Sequence, residues 1–319
     1  MIAVRRIRQI SALLRPPSGV GYRTFSHQGL APSPQTVQIA AAEREAYQRD
    51  GVVHLPGAFS EDWVTYLREA FQQGMEKPGK YAEFIGKETT WETLFETTRN
   101  DVQMFQDQVF YAEATERVPA WQPLLHSHAA QLIAELMGSA AVSFFYLHAI
   151  LKRGGCEQAI PWHQDLPYWK VDGRQIGSVW IALDDMPLAA SVRYVQGSHA
   201  WGLFRPQHFV DHSSYTGRED LPLLPDVDGL LQTGRANALA FEVKAGDALC
   251  FDARIVHGSL GNPEVVQEHR RIALRFGGDD ATYCDREGET AIPTPEIDAT
   301  HGLRHGDALT CEAFPRVWP

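Results

Sequence analysis

Residues 34–50, PQTVQIAAAEREAYQRD, read as a helix, with Gly51 as its stop. VVHLPGAF follows as a short strand and turn. Ser60-Glu61-Asp62 opens a second helix, in which Ser60 serves as N-cap and Trp63, Leu67 and Phe71 fall along one face. Residues 76–120 mix polar and apolar positions without a clear period. A third helix is predicted from about Gln122 to Met137, ending at Gly138. After Gly138 the texture changes to short apolar runs: AVSFFYLHAILK, SVWIALDDM, SVRYVQG, ALAFEV, DALCFDA and RRIALRF, separated by Gly, Pro, Asp and Asn turns. Strands without long intervening helices predict an antiparallel sandwich or barrel. Helices therefore come first and a β domain second, with no internal repeat and no low-complexity block.

Composition narrows the picture. A chain of 319 residues with 44% hydrophobic and 22% charged content can bury a sizeable core. No run approaches the apolar length needed to span a membrane. A formal net charge of −11 argues against a nucleic-acid partner but not against an anionic substrate, which a local basic pocket could hold. Cys156, Cys250, Cys284 and Cys311 are widely spaced and form no C-x-x-C pair, so they are expected to be free thiols in a reducing compartment. The first stretch is different. It holds Arg5, Arg6, Arg8, Arg15 and Arg23, no acid before Glu43, and Ile7, Ile10 and Leu14 at helical spacing. This is the make-up of a mitochondrial targeting presequence, with Arg23-Thr24-Phe25-Ser26 resembling a matrix-protease cleavage site; the alternative is a disordered basic tail or an over-long gene start. The expected organisation is a presequence over 1–25, a linker over 26–35 and one domain over 36–319. That domain divides into a helical part 36–138, a β core at about 139–285 and a tail 286–319.

The candidate chemistry begins in PWHQDLPYW, residues 161–169. A histidine and a carboxylate two residues apart on a strand point to one face and can grip one metal ion from the same side. With a second, distant histidine they form a facial triad, whose open positions suit a non-haem Fe(II) that binds oxygen and a co-substrate together. His163 and Asp165 supply the first two ligands. Thirteen histidines are present, so position must choose the third. His257 is the best candidate, because Gly246-Asp247 makes a turn, ALCF a strand, and His257-Gly258-Ser259 follows at its far end. His199, beside Gly197, reads as a turn residue, and His148 as a satisfied core histidine. Trp162, Tyr168 and Trp169 flank the motif as candidate substrate-pocket residues, with Trp201 and Phe204 as part of an opposite wall.

In this company the sequence resembles the phytanoyl-CoA dioxygenase family of Fe(II)- and 2-oxoglutarate-dependent oxygenases. The segments that carry the likeness are PWHQDLPYW, SVWIALDDM, YVQGSHAWG, GDALCFDARIVHGSLGN and RRIALRFGGDDATY, over about residues 40–285. The resemblance implies a mostly β fold with flanking helices, a double-stranded β-helix or cupin-like jelly roll. It implies iron on His163, Asp165 and His257, and an arginine and Ser259 on the remote carboxylate of 2-oxoglutarate. A guanidinium suits that role because it forks onto a carboxylate through two parallel hydrogen bonds. Lys152 and Trp180 fall where the family places further co-substrate contacts, and ascorbate is an accessory reductant to consider. The presence of Asp165 points to hydroxylation, since related halogenases carry a small residue there. The substrate would be a small molecule or an acyl-CoA.

The chain departs from the family pattern at the arginine, which usually follows the distal histidine by about eleven residues. Here that position is Glu268, and the first arginines are Arg270 and Arg271. Strand parity puts Arg271, Ala273 and Arg275 on one face and Arg270, Ile272 and Leu274 on the other. Parity favours Arg271, counting from the loop favours Arg270, and Arg275 ranks third. Ala189-Ala190-Ser191 stands where the family often has Asn-Gly. The rival readings are a non-catalytic jelly-roll binding or regulatory relative, and a cupin-type metal enzyme that needs no co-substrate. Dependence on 2-oxoglutarate separates them.

Overall fold

Gly51 ends the first helix in the left-handed region, at φ +81°, and a Cβ there would lie 2.5 Å from His199 Nδ1. This stop ends helix α1 (Ala41–Asp50) and turns the chain directly into strand β1 (Val52–Leu55). The computed structural model describes residues 31–33, 35, 37–86, 102–209, 212–261, 264–291 and 302–319. The arginine-rich stretch 1–25 lies outside the described residues, as does the linker apart from 31–33 and 35.

The remaining elements, in order, are α2 (Glu61–Glu76), β2 (Glu83–Gly86), β3 (Val102–Val109), α3 (Tyr111–Arg117), α4 (Gln122–Leu125), α5 (His128–Met137) and β4 (Val142–Lys152). Then come β5 (Ile160–His163), β6 (Val171–Asp172), β7 (Ile176–Ala182), β8 (Arg193–Val195), α6 (Val227–Gln232) and β9 (Ala238–Ala240). The series closes with β10 (Ala248–Asp252), β11 (His257–Ser259), β12 (His269–Gly277), β13 (Thr282–Tyr283) and β14 (Arg316–Trp318).

Two antiparallel sheets form a cupin-like jelly roll. The larger runs β1-β10-β7-β12-β4-β3-β2, with β14 joining the first residues of β4; the smaller runs β5-β11-β8-β9. Strand parity sorts the larger sheet into two faces. Ile272, Leu274, Val179, Ile181, Leu147 and Cys250 pack on the helix side with Trp63, Leu67 and Phe71 of α2 and Leu132 and Ile133 of α5. Trp180, Leu249, Phe251 and Ala273 face inward and pack with Tyr194 of the smaller sheet. The helices thus stiffen one face of the sheet while the other is free to line a site.

The structure revises three sequence expectations. The first helix begins at Ala41 rather than Pro34. The segment before it is tied to other elements: Gln35 Oε1 accepts from Ser60 N, and Ser33 O accepts from the Trp63 indole nitrogen. These partners compete with the local helical bonds. The predicted helix 122–137 is broken at His126–Ser127, because Ser127 Oγ accepts from Ala129 N and so caps a new helix. Besides the expected β1, the helical part 36–138 supplies two further strands of the larger sheet, β2 and β3. The tail is not peripheral either: Leu309 and Phe314 are buried with Phe145 and Trp169. All four cysteines are free thiols; Cys156, Cys250 and Cys284 are buried and Cys311 is half-buried. Among the described residues no helix is long and apolar enough to cross a membrane.

Candidate active site

His163 is the last residue of β5 and His257 the first of β11, and the antiparallel register places the two directly opposite each other. Their ring centroids are 4.2 Å apart. Each ring donates from Nδ1 to a carbonyl two residues upstream, His163 to Pro161 O at 2.8 Å and His257 to Ile255 O at 3.0 Å. Those bonds select the tautomer, since an Nδ1–H leaves the Nε2 lone pair free for a metal. Burial first, then the neighbouring His163, push His257 down to about 3, so it is neutral at physiological pH.

Asp165 does not share a strand face with His163, as the H-x-D spacing had implied. β5 ends at His163, and the backbone turns at Asp165 into a short helical turn, Leu166–Tyr168. Leu166 N donates to Ala253 O, tying that turn to the link between β10 and β11. His257, likewise, does not end the strand begun at Gly246-Asp247; it opens the next strand, in the other sheet. Even so, Asp165 Oδ1 lies 3.7 Å from His163 Nε2 and 3.8 Å from His257 Nε2. One ligand atom from each of the three residues lies within 4.8 Å of the others. These gaps are too long for hydrogen bonds and leave room for an ion between two imidazole nitrogens and a carboxylate, a donor set that suits Fe(II).

Between the ligands, Gln164 points the other way. Its Nε2 donates to Gly202 O and Arg254 O, and its Oε1 accepts from Phe204 N. It staples three loops behind the motif, a role that one residue between two ligands did not advertise in the sequence.

β12 settles where the arginines stand. Arg270 turns outward, its Nε and Nη2 donating to the two Asp184 carboxylate oxygens at 2.9 and 2.7 Å. Loop counting therefore misplaced it. Arg271 and Arg275 both line the cavity. Arg275 Nη2 lies 3.2 Å from Asp165 Oδ2, the oxygen turned away from the histidines, and its guanidinium is ringed by Tyr146, Trp169 and Phe251 at 5.4 to 5.9 Å. Burial, the largest single influence, pushes the Asp165 carboxyl up, but the Arg275 guanidinium together with His257 and His163 outweighs it and holds the group well below the usual carboxylate range. Ranking Arg275 third as a co-substrate anchor missed this partnership, because only the tertiary fold brings β12 to the turn after β5.

Arg271 has a different environment. It is 6% exposed, and among the described residues no carboxylate pairs with it. Beside it Lys152, 2% exposed, donates from Nζ to Ser259 Oγ and Gln158 O, both at 3.0 Å. Burial first, then Arg271, push the Lys152 ammonium down to about 7. Burial lowers Arg271 to about 10. Two adjacent buried basic groups with a hydroxyl beside them and, among the described residues, no acid to balance them suit an anion.

His163, Asp165, His257, Ser259, Arg271 and Arg275 meet in one cavity of about 400 Å³, with Lys152 behind Ser259. Trp180, Tyr168 and Trp169 are in its wall, and the Tyr168 hydroxyl donates to Gln207 O at 2.7 Å. Trp162 is not: its indole nitrogen donates to Asp228 Oδ1 and its ring lies under the Arg193 guanidinium. Side-chain alternation along β5 sends it away from His163. Trp201 and Phe204 also lie outside the lining of this cavity. His148, expected in the core, lines the cavity instead.

Residues 47–263 match the model of the phytanoyl-CoA dioxygenase family. The chain belongs to the phytanoyl-CoA dioxygenase family. No curated protein matches it significantly. Among solved structures it is similar to the non-haem α-ketoglutarate-dependent carbocyclase SnoK from nogalamycin biosynthesis, with 22% identity and a TM-score of 0.66 over 89% of this chain and 99% of that one. It is similar to the epimerase SnoN in complex with Fe3+, α-ketoglutarate and nogalamycin RO, at 21% identity, TM-score 0.58, over 86% and 97% of the two chains. EctD from S. alaskensis gives 19% identity and a TM-score of 0.59 over 82% and 86%. At such identities the likeness is one of fold.

Proposed function

We propose that this family member is an Fe(II)- and 2-oxoglutarate-dependent oxygenase that hydroxylates a small molecule. The observation that carries the reading is one cavity holding both His163, Asp165 and His257 and the unopposed buried cation of Arg271, with Lys152 behind Ser259. His163 and His257 would hold the iron through Nε2 and Asp165 through Oδ1. Arg271 would fork onto the remote carboxylate of 2-oxoglutarate, Ser259 would donate its hydroxyl, and Lys152 would add charge from behind. When bound, iron and 2-oxoglutarate supply the oxygen activation that converts a C–H bond to C–OH as the co-substrate becomes succinate and carbon dioxide. Trp180, Tyr168 and Trp169 wall the site and exclude water. Arg275 holds the second oxygen of Asp165, so that only one is turned to the ion. Asp165 fills the third ligand position, which supports hydroxylation over halide transfer. The relatives that carry out carbocyclisation and epimerisation share the fold, so the product must be identified directly.

Anaerobic reconstitution with Fe(II) and 2-oxoglutarate tests the reading. The expected result is a visible charge-transfer band that His163→Ala abolishes. Absence of the band, or its survival in that variant, removes the assignment.

A further inference from the structure

Three neighbouring strands carry a hydrogen-bonded row along the cavity wall: Glu83 on β2, Gln106 on β3 and His148 on β4 all line it. Gln106 pairs directly with Glu83 in the β2–β3 register and stands diagonal to His148, which faces Gln108. The Gln106 amide nitrogen donates to the Glu83 carboxylate, and its Oε1 accepts from His148 Nε2 at 3.1 Å. A carboxylate only accepts, so Glu83 sets the direction of the amide, and the amide oxygen in turn requires the hydrogen on Nε2. The lone pair of His148 is thereby placed on Nδ1, and no described residue donates a hydrogen bond to it. Burial and the nearby Arg275 push the ring down to about 3, which keeps it neutral.

The rest of the lining has a matching character. Gln108, Gln158 and Gln207 add amides among apolar side chains such as Ile85, Met104 and Phe209. Among the described lining residues the only arginines are Arg271 and Arg275, and there is no lysine. Arg271 is assigned to the co-substrate and Arg275 is paired with Asp165. Among the described lining residues a phosphate or carboxylate on the substrate would find no uncommitted guanidinium or ammonium, and it would meet Glu83.

We propose that the substrate is an uncharged, hydroxyl-bearing small molecule rather than an acyl-CoA, and that His148 Nδ1 accepts a hydrogen bond from one of its hydroxyls. Gln106 and Glu83 are positioning residues that hold the imidazole in the tautomer able to accept. This rests on the reading of the cavity as a 2-oxoglutarate oxygenase site. A site built to receive a hydroxyl discriminates against analogues that lack it, because the acceptor is then left unpaired.

The test uses the full chain loaded with Fe(II) and 2-oxoglutarate, with succinate release as the readout. The probes are a panel of neutral cyclic polyols and methyl glycosides, the deoxy or O-methyl analogues of any that respond, a panel of monocarboxylates, and palmitoyl-CoA. At least one neutral hydroxylated compound is expected to raise succinate release well above the substrate-free rate, and losing one particular hydroxyl should lower that response about tenfold. His148→Phe should lose the response while retaining the charge-transfer band. His148→Gln, which keeps an acceptor, should recover part of it. Gln106→Leu should raise KM for the responsive compound with little change in kcat. Stimulation by palmitoyl-CoA or carboxylates alone, no response to any neutral hydroxylated compound, or full activity in His148→Phe overturns the proposal. Absence of the charge-transfer band in the unmodified protein is a separate outcome, and it overturns the oxygenase reading beneath it.

Discussion

The two sheets contribute to the site in different ways. The smaller sheet provides the candidate metal ligands from short strands and their ends: His163 closes a four-residue strand, His257 opens a three-residue one, and Asp165 sits in a turn. The larger sheet provides the charged and polar wall from the interiors of long strands, with Arg271 and Arg275 in the nine-residue β12 and His148 in the eleven-residue β4, whose last residue, Lys152, stands behind the wall. Within a long strand, alternation decides direction, and neighbouring residues have opposite roles. At strand ends the turns decide, and a period-two argument loses its force. Arg270 and Arg271 illustrate the first rule; His163 and Asp165 illustrate the second.

The largest effects should come from breaking the smaller sheet's contribution. His257→Ala or His163→Ala should reduce succinate release to background and weaken metal binding by at least about 100-fold, measured by calorimetry with Co(II) as the probe. The contrast within β12 comes next. Arg271→Met should weaken 2-oxoglutarate binding by about 100-fold while leaving Co(II) binding nearly unchanged, because it removes a buried charged partner worth ~2–5 kcal/mol. Arg270→Met should change that affinity by less than about twofold and instead cost about 1 kcal/mol of folding stability through loss of the half-buried Asp184 pair. If the two variants exchange phenotypes, the parity argument is wrong.

Arg275→Met sharpens the link between the sheets. It leaves Asp165 buried without its cation, so metal affinity should fall by about tenfold or more, with the 2-oxoglutarate anchor intact.

A gentler effect should appear with pH. In the ligand-free protein Lys152 has its pKa pushed down to about 7. A bound dianion favours the ammonium, so binding takes up a proton above about pH 7. The apparent Kd for 2-oxoglutarate should therefore rise with pH above about 7, by at most about tenfold per unit, and Lys152→Gln should flatten the slope. The stability effect has the opposite sense. Between about 7 and the ordinary lysine value the unfolded chain binds more protons than the folded one, so the folding penalty of burying Lys152 is full below pH 7 and eases as pH rises. The smallest change belongs to Trp162→Phe, which loses only the bond to Asp228 and should alter turnover by less than about twofold.

Much of this was legible in the chain. The strands of the β region were visible as apolar runs between turn residues, the Ser60 cap and the Gly51 and Gly138 stops marked helix ends, and the order of motifs carried the family. β2 and β3 were not legible, because their half-buried residues alternate too weakly to stand out against the helices around them. That omission hid Glu83 and Gln106, and with them the reason His148 faces a cavity rather than the core.

The sequence by itself determined the donor types, the family and the sorting of β12 residues into two faces, since all three depend on residue identity and local period. Tertiary structure alone decided which face of β12 meets the cavity, that Arg275 meets Asp165, and that Trp162 points away. Those outcomes depend on how separate strands register and on where turns end them, and each is set by contacts between residues distant in the chain.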